Sequence, residues 1–224
     1  MLRHSAIGFF GNIDNKISDI DGNVYTFITV GNLQWLTQNL KTTKYADGTV
    51  IPNLTHVDDW IAEDSTPGHD GAYCWYDNDI ANKYLYGALY NWPAVDNVKG
   101  LAPTGWRVAT PTDFNSLIND LGGHLLSGGK LKETGLIYWN NPNGGATNEV
   151  GFNGRGSGSR TPEGNFLSLK EVFYLWTPTP YEYAPDITAY YIPLAQSANG
   201  YSDVTWFSVE HKYGFAVRCV RDIS

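Results

Sequence analysis

The segment 171–222 constrains the fold more than any other part of the chain. It contains four short runs rich in β-branched and aromatic residues, at 172–176, 188–192, 204–209 and 214–220. Pro, Gly, Asn, Ser and Asp fill the gaps, which is the pattern of strands separated by turns. The spacing predicts an antiparallel meander. Twelve of the chain's thirty-two Trp, Tyr and Phe residues fall within 172–215, about twice an even spread, as expected of strands built from aromatic residues. Some of these rings must be core. The others are expected to form a surface on which function depends.

A chain of 224 residues, 42% hydrophobic and 17% charged, can bury a sizeable core in one folded domain. The net charge of -8 and the scatter of Lys and Arg argue against nucleic acid as a partner, because phosphate binding needs a basic face. No stretch reaches the ~18–20 apolar residues of a membrane span. Near the N-terminus the apolar run 6–10 is too short for a signal-peptide core. The expectation is a chain that does not use the classical export route, or one whose leader has been removed; a phage structural protein would need none. Cys74 and Cys219 can form a disulfide or remain two buried thiols, and no Cys/His set for zinc exists.

Residues 1–17 read as an N-terminal arm and 18–224 as a single domain. The alternation over 24–30, the Gly31-Asn32 turn and the run 33–36 predict a hairpin. Residues 45–49 signal a further turn, and 52–72 read as loop. Tyr84, Leu85, Ala88 and Leu89 predict a helix over 80–92 that Pro93 ends. A second helix is marked by Thr110 as N-cap, Pro111 at the first turn and Asp113 where a capping-box acid belongs. Its apolar face is Phe114, Leu117, Ile118 and Leu121, and Gly122-Gly123 stops it. Residues 122–170 are glycine-rich and irregular, with Trp139, Phe152 and Phe166 spaced as anchors; a loop this long is usually functional or pinned.

Several motifs together resemble a known family. Trp35-Leu36-Thr37-Gln38-Asn39-Leu40-Lys41, Tyr45-Ala46-Asp47-Gly48-Thr49, Tyr86-Gly87-Ala88-Leu89-Tyr90-Asn91-Trp92 and Pro103-Thr104-Gly105-Trp106-Arg107-Val108 come in order. Pro111-Thr112-Asp113-Phe114, Gly128-Gly129-Lys130-Leu131-Lys132, Gly151-Phe152 and the closing run 213–221 follow. This set resembles the Fibrobacter succinogenes major paralogous domain. The resemblance implies an α+β, C-type-lectin-like fold, with two helices packed on small antiparallel sheets and long irregular loops. It also implies kinship with formylglycine-generating enzymes and with the variable proteins of diversity-generating retroelements, with the binding face on the C-terminal strands and loops. Trp176-Thr177-Pro178-Thr179-Pro180 departs from the family's usual Trp-Ser-Ser-Thr-Glu.

Catalytic constellations are not apparent. His4, His56, His69, His124 and His211 form no metal-binding pair, and no Gly-x-Ser-x-Gly elbow occurs. The oxidases among the relatives use a pair of active-site cysteines, and here only Cys219 lies in the C-terminal half. The expectation is therefore a binding protein and not an enzyme, with no cofactor beyond a structural calcium ion for which Asp58, Asp59, Asp70, Asp77, Asn78 and Asp79 are oxygen-rich candidates. The same residues also favour turns for backbone reasons. Arg107, Arg155, Arg160 and Arg218 are expected to pin loop carbonyls.

The ligand face is expected on 177–211, at Tyr181, Tyr183, Asp186, Tyr191, Asn199, Tyr201, Ser202, Asp203, Phe207, Ser208 and His211. Tyr gives large contact area at low entropic cost, and small polar residues adapt to a partner. In retroelement variable proteins, mutation of adenines in Asn codons yields this same repertoire. The resemblance thus implies a receptor or adhesion protein of a phage or bacterium, at a virion or cell surface, with a protein or glycan ligand. The alternatives are ordinary strand packing of these tyrosines, a structural surface domain, or an oxidase of the formylglycine-generating kind.

Overall fold

The computed structural model describes residues 15–63, 68–195 and 206–223. In chain order its elements are β1 (Lys16–Ser18), β2 (Val24–Val30), β3 (Leu33–Leu36), α1 (Val57–Ala62), β4 (Tyr73–Cys74), α2 (Asn82–Tyr86), β5 (Leu89–Tyr90), α3 (Trp92–Val95) and β6 (Arg107–Val108). Then come α4 (Pro111–Asp120), α5 (His124–Leu131), β7 (Ser157–Arg160), β8 (Phe166–Leu169), β9 (Val172–Pro180), β10 (Thr188–Ala195), β11 (Phe207–Glu210) and β12 (Cys219–Asp222). The architecture is α+β, with two five-stranded sheets ordered β1-β2-β3-β12-β6 and β11-β10-β9-β7-β8, and a small β4-β5 pair.

The β2–β3 hairpin forms as the alternation predicts, with Val30 opposite Leu33. Helix α4 carries the predicted capping box: Thr110 Oγ1 accepts from the Asp113 amide and the Asp113 carboxylate accepts from the Thr110 amide. The 172–210 runs give a β9-β10-β11 meander. Its third run is shorter than expected within the described residues, and 204–205 lie outside them.

Four expectations need correction. The last run does not continue the meander. Residues 214–216 bridge to Arg160, Tyr90 and Leu175, and β12 then inserts between β3 and β6. Burial explains this: Phe215, Ala216, Val217, Cys219 and Val220 are all buried, which a meander edge exposed to water would not allow. The helix predicted over 80–92 is instead α2, a turn at Gly87, β5 and α3. Gly87 has φ 78° and ψ −166°, a conformation that stops a helix. Pro93 starts α3 behind the Asn91 N-cap and does not end a helix. The stretch 52–72 holds α1, anchored by the buried Trp60. Lys16 and Ile17, placed in the arm, pair with β2.

Five tryptophans, Trp35, Trp60, Trp92, Trp139 and Trp176, are fully buried, and four of their indoles donate to a distant carbonyl. Trp60 reaches Thr161, Trp92 reaches Thr177, Trp139 reaches Gly154 and Trp176 reaches Tyr90, at 2.9–3.0 Å. Each bond gives a buried N–H its partner and ties together two segments distant in the chain. Arginines do the rest. Arg160 donates to the carbonyls of Leu54, Thr55, His56 and Gly164. Arg218 donates to those of Leu36, Phe152 and Asn153. Cys74 and Cys219 are free, buried thiols in different clusters of the core.

Candidate binding face

The register of the meander sorts its rings. Tyr191 lies opposite Trp176 on β9 and opposite Phe207 on β11. Directly opposed residues share a face, so these three rings stand on one side of the sheet. Tyr191 sits 5.0 Å from Phe215, 5.9 Å from Phe207 and 6.0 Å from Tyr174, centroid to centroid. Phe215 stacks on Tyr174 at 4.8 Å and meets Tyr213 at 5.5 Å. The result is a graded ladder. Trp176 and Phe215 are buried, Tyr174, Tyr191 and Tyr213 are half-buried, and Phe207 is 49% exposed.

A second group lies around the β9–β10 turn. Tyr181 packs 5.4 Å from Tyr183 and 5.3 Å from Tyr190. Tyr183 is 79% exposed and Ile187 62%. Between Pro180 and Trp176 the β9–β10 ladder is irregular, because Pro178 and Pro180 have no N–H to give it. The Thr177 hydroxyl spans the gap by donating to the Tyr190 carbonyl at 2.9 Å.

Of the residues expected on the face, Tyr183, Asp186, Phe207 and Ser208 are exposed and Tyr181 and Tyr191 are half-buried. Asn199, Tyr201, Ser202 and Asp203 lie outside the described residues. His211 is a correction. It is 2% exposed and stacked on Trp92 at 4.1 Å with 16° between the planes, so it supports the face from below and a ligand does not reach it. The segment 177–211 also missed Tyr174 and Tyr213. Their spacing of two from Trp176 and Phe215 is the strand period, and it marks them as members of the same ladder.

The Tyr191 and Tyr213 phenols stay protonated at neutral pH. Burial raises Tyr191, with Tyr174 and Tyr213 adding to it. Burial also raises Tyr213, helped by Glu163 and Glu210. These hydroxyls can therefore donate as well as accept hydrogen bonds to a ligand.

The oxygen-rich residues do local work. Asp70 pairs with Lys99 Nζ at 2.6 Å, the Asp79 carboxylate accepts from the Ala81 amide, and Asn78 donates to the Thr55 carbonyl. Among the described residues no group of three or more His, Cys, Asp or Glu side chains could hold a metal ion. Burial pushes the Cys74 thiol up to about 12 and raises Cys219 as well, so neither is a ready thiolate nucleophile. Among the described residues no helix is long and apolar enough to cross a membrane.

No curated protein and no solved structure matches this chain. A family model does: that of the Fibrobacter succinogenes major domain matches residues 28–221, from β2 to β12 and through every element of the ladder. The chain therefore belongs to the Fibrobacter succinogenes major domain family.

Proposed function

We propose that this protein is a ligand-binding module, a receptor or adhesion domain and not an enzyme, that presents its aromatic ladder on a C-type-lectin-like scaffold. The observation that carries this reading is the ladder itself. Its base is fixed in the core by Trp176 and Phe215, while Phe207 at its outer end stands in solvent, as does Tyr183 in the separate group at the β9–β10 turn. Rigid, amphipathic rings backed by a packed floor are what recognition surfaces use, because little side-chain entropy is lost on binding. Two features support the lectin-like scaffold: β12 closes the sheet begun by the first strands, and a long loop-rich stretch between α5 and β9 is held by Trp139 and the arginines. The inert thiols speak against an oxidase.

The segment 177–211 is, on this reading, a variable segment of a diversity-generating retroelement protein, displayed on a virion or bacterial surface and directed at a protein or glycan. The test pairs binding with stability. The wild-type protein and a Tyr183→Ala/Phe207→Ala variant are applied to a printed glycan panel and to intact bacterial cells. The expected result is binding by the wild type and loss by the variant at unchanged melting temperature. If the wild type binds in neither format, or the variant binds equally well, the proposal fails. A reverse transcriptase gene beside a near-copy of the 3′ coding region would support the variable-protein part. Turnover of a Cys-containing peptide with copper would instead make the protein an oxidase.

A further inference from the structure

A groove that shares no residue with the ladder lies between the C-terminal end of α3, the loop at 100–105, β6 and Pro178 of β9. Its volume is about 560 Å³, within the range of small-molecule sites. The residues around it explain the room. Ala46, Gly100, Ala102 and Gly105 on its walls carry no side chain beyond Cβ. Val95, Trp106 and Val108 are buried and form an apolar floor. Trp106 is fixed there, with the Phe27 ring 5.5 Å and Arg221 Cζ 4.8 Å from its own. Asp96 stands on the rim, exposed, as the residue that caps α3. Among the described residues none is hydrogen-bonded or ion-paired to its carboxylate, and partial burial raises the carboxyl above its ordinary value. The other charged residue of the groove, Arg107, is paired with Asp113 and Asp222.

We propose that this groove binds a small aromatic amine, with its ammonium on the Asp96 carboxylate and its ring in the apolar cleft. A carboxylate without an internal partner, beside an apolar cavity of ligand size, marks a binding site. An ammonium group gives it a charge-assisted hydrogen bond. Arg107 is neutralised by its own partners, so the groove keeps one negative charge and offers nothing to the acid of an anionic or zwitterionic ligand. A neutral apolar ligand would shelter Asp96 further and leave it unpaired, which costs free energy. The net charge of -8 favours the approach of a cation. A flat ring suits the cleft because it covers much apolar surface while few rotamers are lost on binding.

The full chain is titrated calorimetrically with tryptamine, with indole-3-propionate, which has the ring and the opposite charge, and with ethylamine, which has the charge and no ring. Tryptamine should bind with a dissociation constant below about 1 mM, and the other two should bind at least about tenfold more weakly. Asp96→Asn should weaken tryptamine binding by about tenfold. Ala102→Leu, which extends a side chain into the cleft, should weaken it as much, and Phe207→Ala should leave it unchanged. Asp96 is exposed, so Asp96→Asn should melt as the wild type does and decides the matter even if Ala102→Leu fails to fold. The proposal is overturned by no tryptamine binding, by equal binding of indole-3-propionate or ethylamine, or by an Asp96→Asn variant that binds as the wild type does. Because Phe207 belongs to the ladder and not to this groove, failure here leaves the ladder's role untouched, and the reverse also holds.

Discussion

Arg218 Nε donates to Asn39 Oδ1 at 2.6 Å, joining residues 179 positions apart. The same guanidinium feeds the carbonyls of Leu36, Phe152 and Asn153, and its Cζ lies 4.4 Å from the Phe152 ring centre. One side chain thus ties the β2–β3 hairpin and the irregular segment before β7 to the strand that ends the chain. Asn39 in turn donates to the Tyr86 carbonyl at 2.7 Å, so the network extends to α2. Burial, with Arg155 adding to it, pushes the Arg218 guanidinium down to about 9, and it remains charged at neutral pH.

Arg218→Ala would leave four acceptors without a donor in the interior. The expected loss is about 3–5 kcal/mol, the scale for breaking a buried charged network. Arg218→Lys keeps the charge but cannot span all four acceptors, so it should lose a large part of that stability as well. Urea unfolding followed by tryptophan fluorescence measures both. A loss below about 1 kcal/mol for the alanine variant would mean that the network contributes little.

Asp113 links local and tertiary structure in a different way. Its carboxylate closes the α4 capping box and receives both terminal nitrogens of Arg107. Burial works to raise its carboxyl, but the bonds from Arg107 and Thr110 outweigh it, and the net shift is downward. A carboxyl held below its unfolded value near 3.9 contributes stability that is present above that pH and is lost as pH falls through the folded value. Asp113→Asn should therefore cost about 1–2 kcal/mol at pH 7 and should narrow its gap to the wild type in acid. Parallel thermal melts from pH 7 to pH 3 decide this, and a gap that stays constant with pH would refute it.

At the alkaline end the buried thiols dominate the expectation. Cys74 is pushed up to about 12 by burial, with Arg160 opposing weakly. In the unfolded chain a thiol titrates near 8.5. A group whose folded value is raised contributes stability that is complete below the unfolded value and declines as pH rises toward the folded one. Lys132 acts in the opposite sense. It is fully buried, bonded to the carbonyls of Gly144 and Ala195, and pushed down by burial to about 8. Its contribution therefore rises with pH between about 8 and its unfolded value near 10.4. Melting temperatures from pH 8 to 10.5 should fall less steeply in Cys74→Ala than in the wild type, and more steeply in Lys132→Met. Native protein should also resist thiol-directed reagents until it is unfolded, and rapid native labelling of either cysteine would contradict the burial.

Where the chain's own chemistry decided the structure locally, the sequence could be read. The α4 capping box needs only Thr110, Pro111 and Asp113, and the β2–β3 hairpin needs only alternation and a Gly31 turn. The roles of Trp139, Arg155, Arg160 and Arg218 followed from residue type, because a large ring and a five-donor cation among glycines have few other uses; Arg107 is a correction, since its guanidinium pairs with the Asp113 and Asp222 carboxylates and not with loop carbonyls. The long-range steps were hidden. Nothing local in 214–220 names the N-terminal sheet as its partner: a continuous apolar run demands burial on both faces and does not say between which strands. The ladder was only half visible for the same reason: Tyr174 and Tyr213 join it through pairing, and His211 leaves it by stacking on Trp92.

Gly87 shows how one residue overrides a helical pattern. At φ 78° an added Cβ would also lie 2.7 Å from the Leu40 carbonyl oxygen and from Asn39 Cβ. The turn cannot relax outward, because the Ala88 amide donates to that same Leu40 carbonyl. Gly87→Ala should therefore destabilise by about 2–3 kcal/mol, adding backbone strain to a steric clash. Thermal denaturation checks it. Were the variant as stable as the wild type, 80–92 could adopt the continuous helix its apolar spacing favours, and the helix content seen by circular dichroism would rise.

The ladder makes a graded prediction that separates folding from recognition. Tyr191 touches Tyr174, Trp176, Phe207 and Phe215, so Tyr191→Ala removes four ring contacts and opens the sheet surface above Phe215. The expected loss is about 2–3 kcal/mol, somewhat below that of a fully buried aromatic because the ring is half-exposed. Phe207 sits at the outer end, with Tyr191 as its one ring neighbour among the described residues, and its alanine variant should lose about 1 kcal/mol. Among the described residues Tyr183 has Tyr181 as its one ring neighbour, and Tyr183→Ala should stay within about 0.5 kcal/mol of the wild type. Chemical denaturation of the three variants should therefore give losses in the order Tyr191, Phe207, Tyr183. If Tyr183→Ala proved the most costly, the exposed turn would be structural, and a surface kept for a ligand would be the wrong description of it.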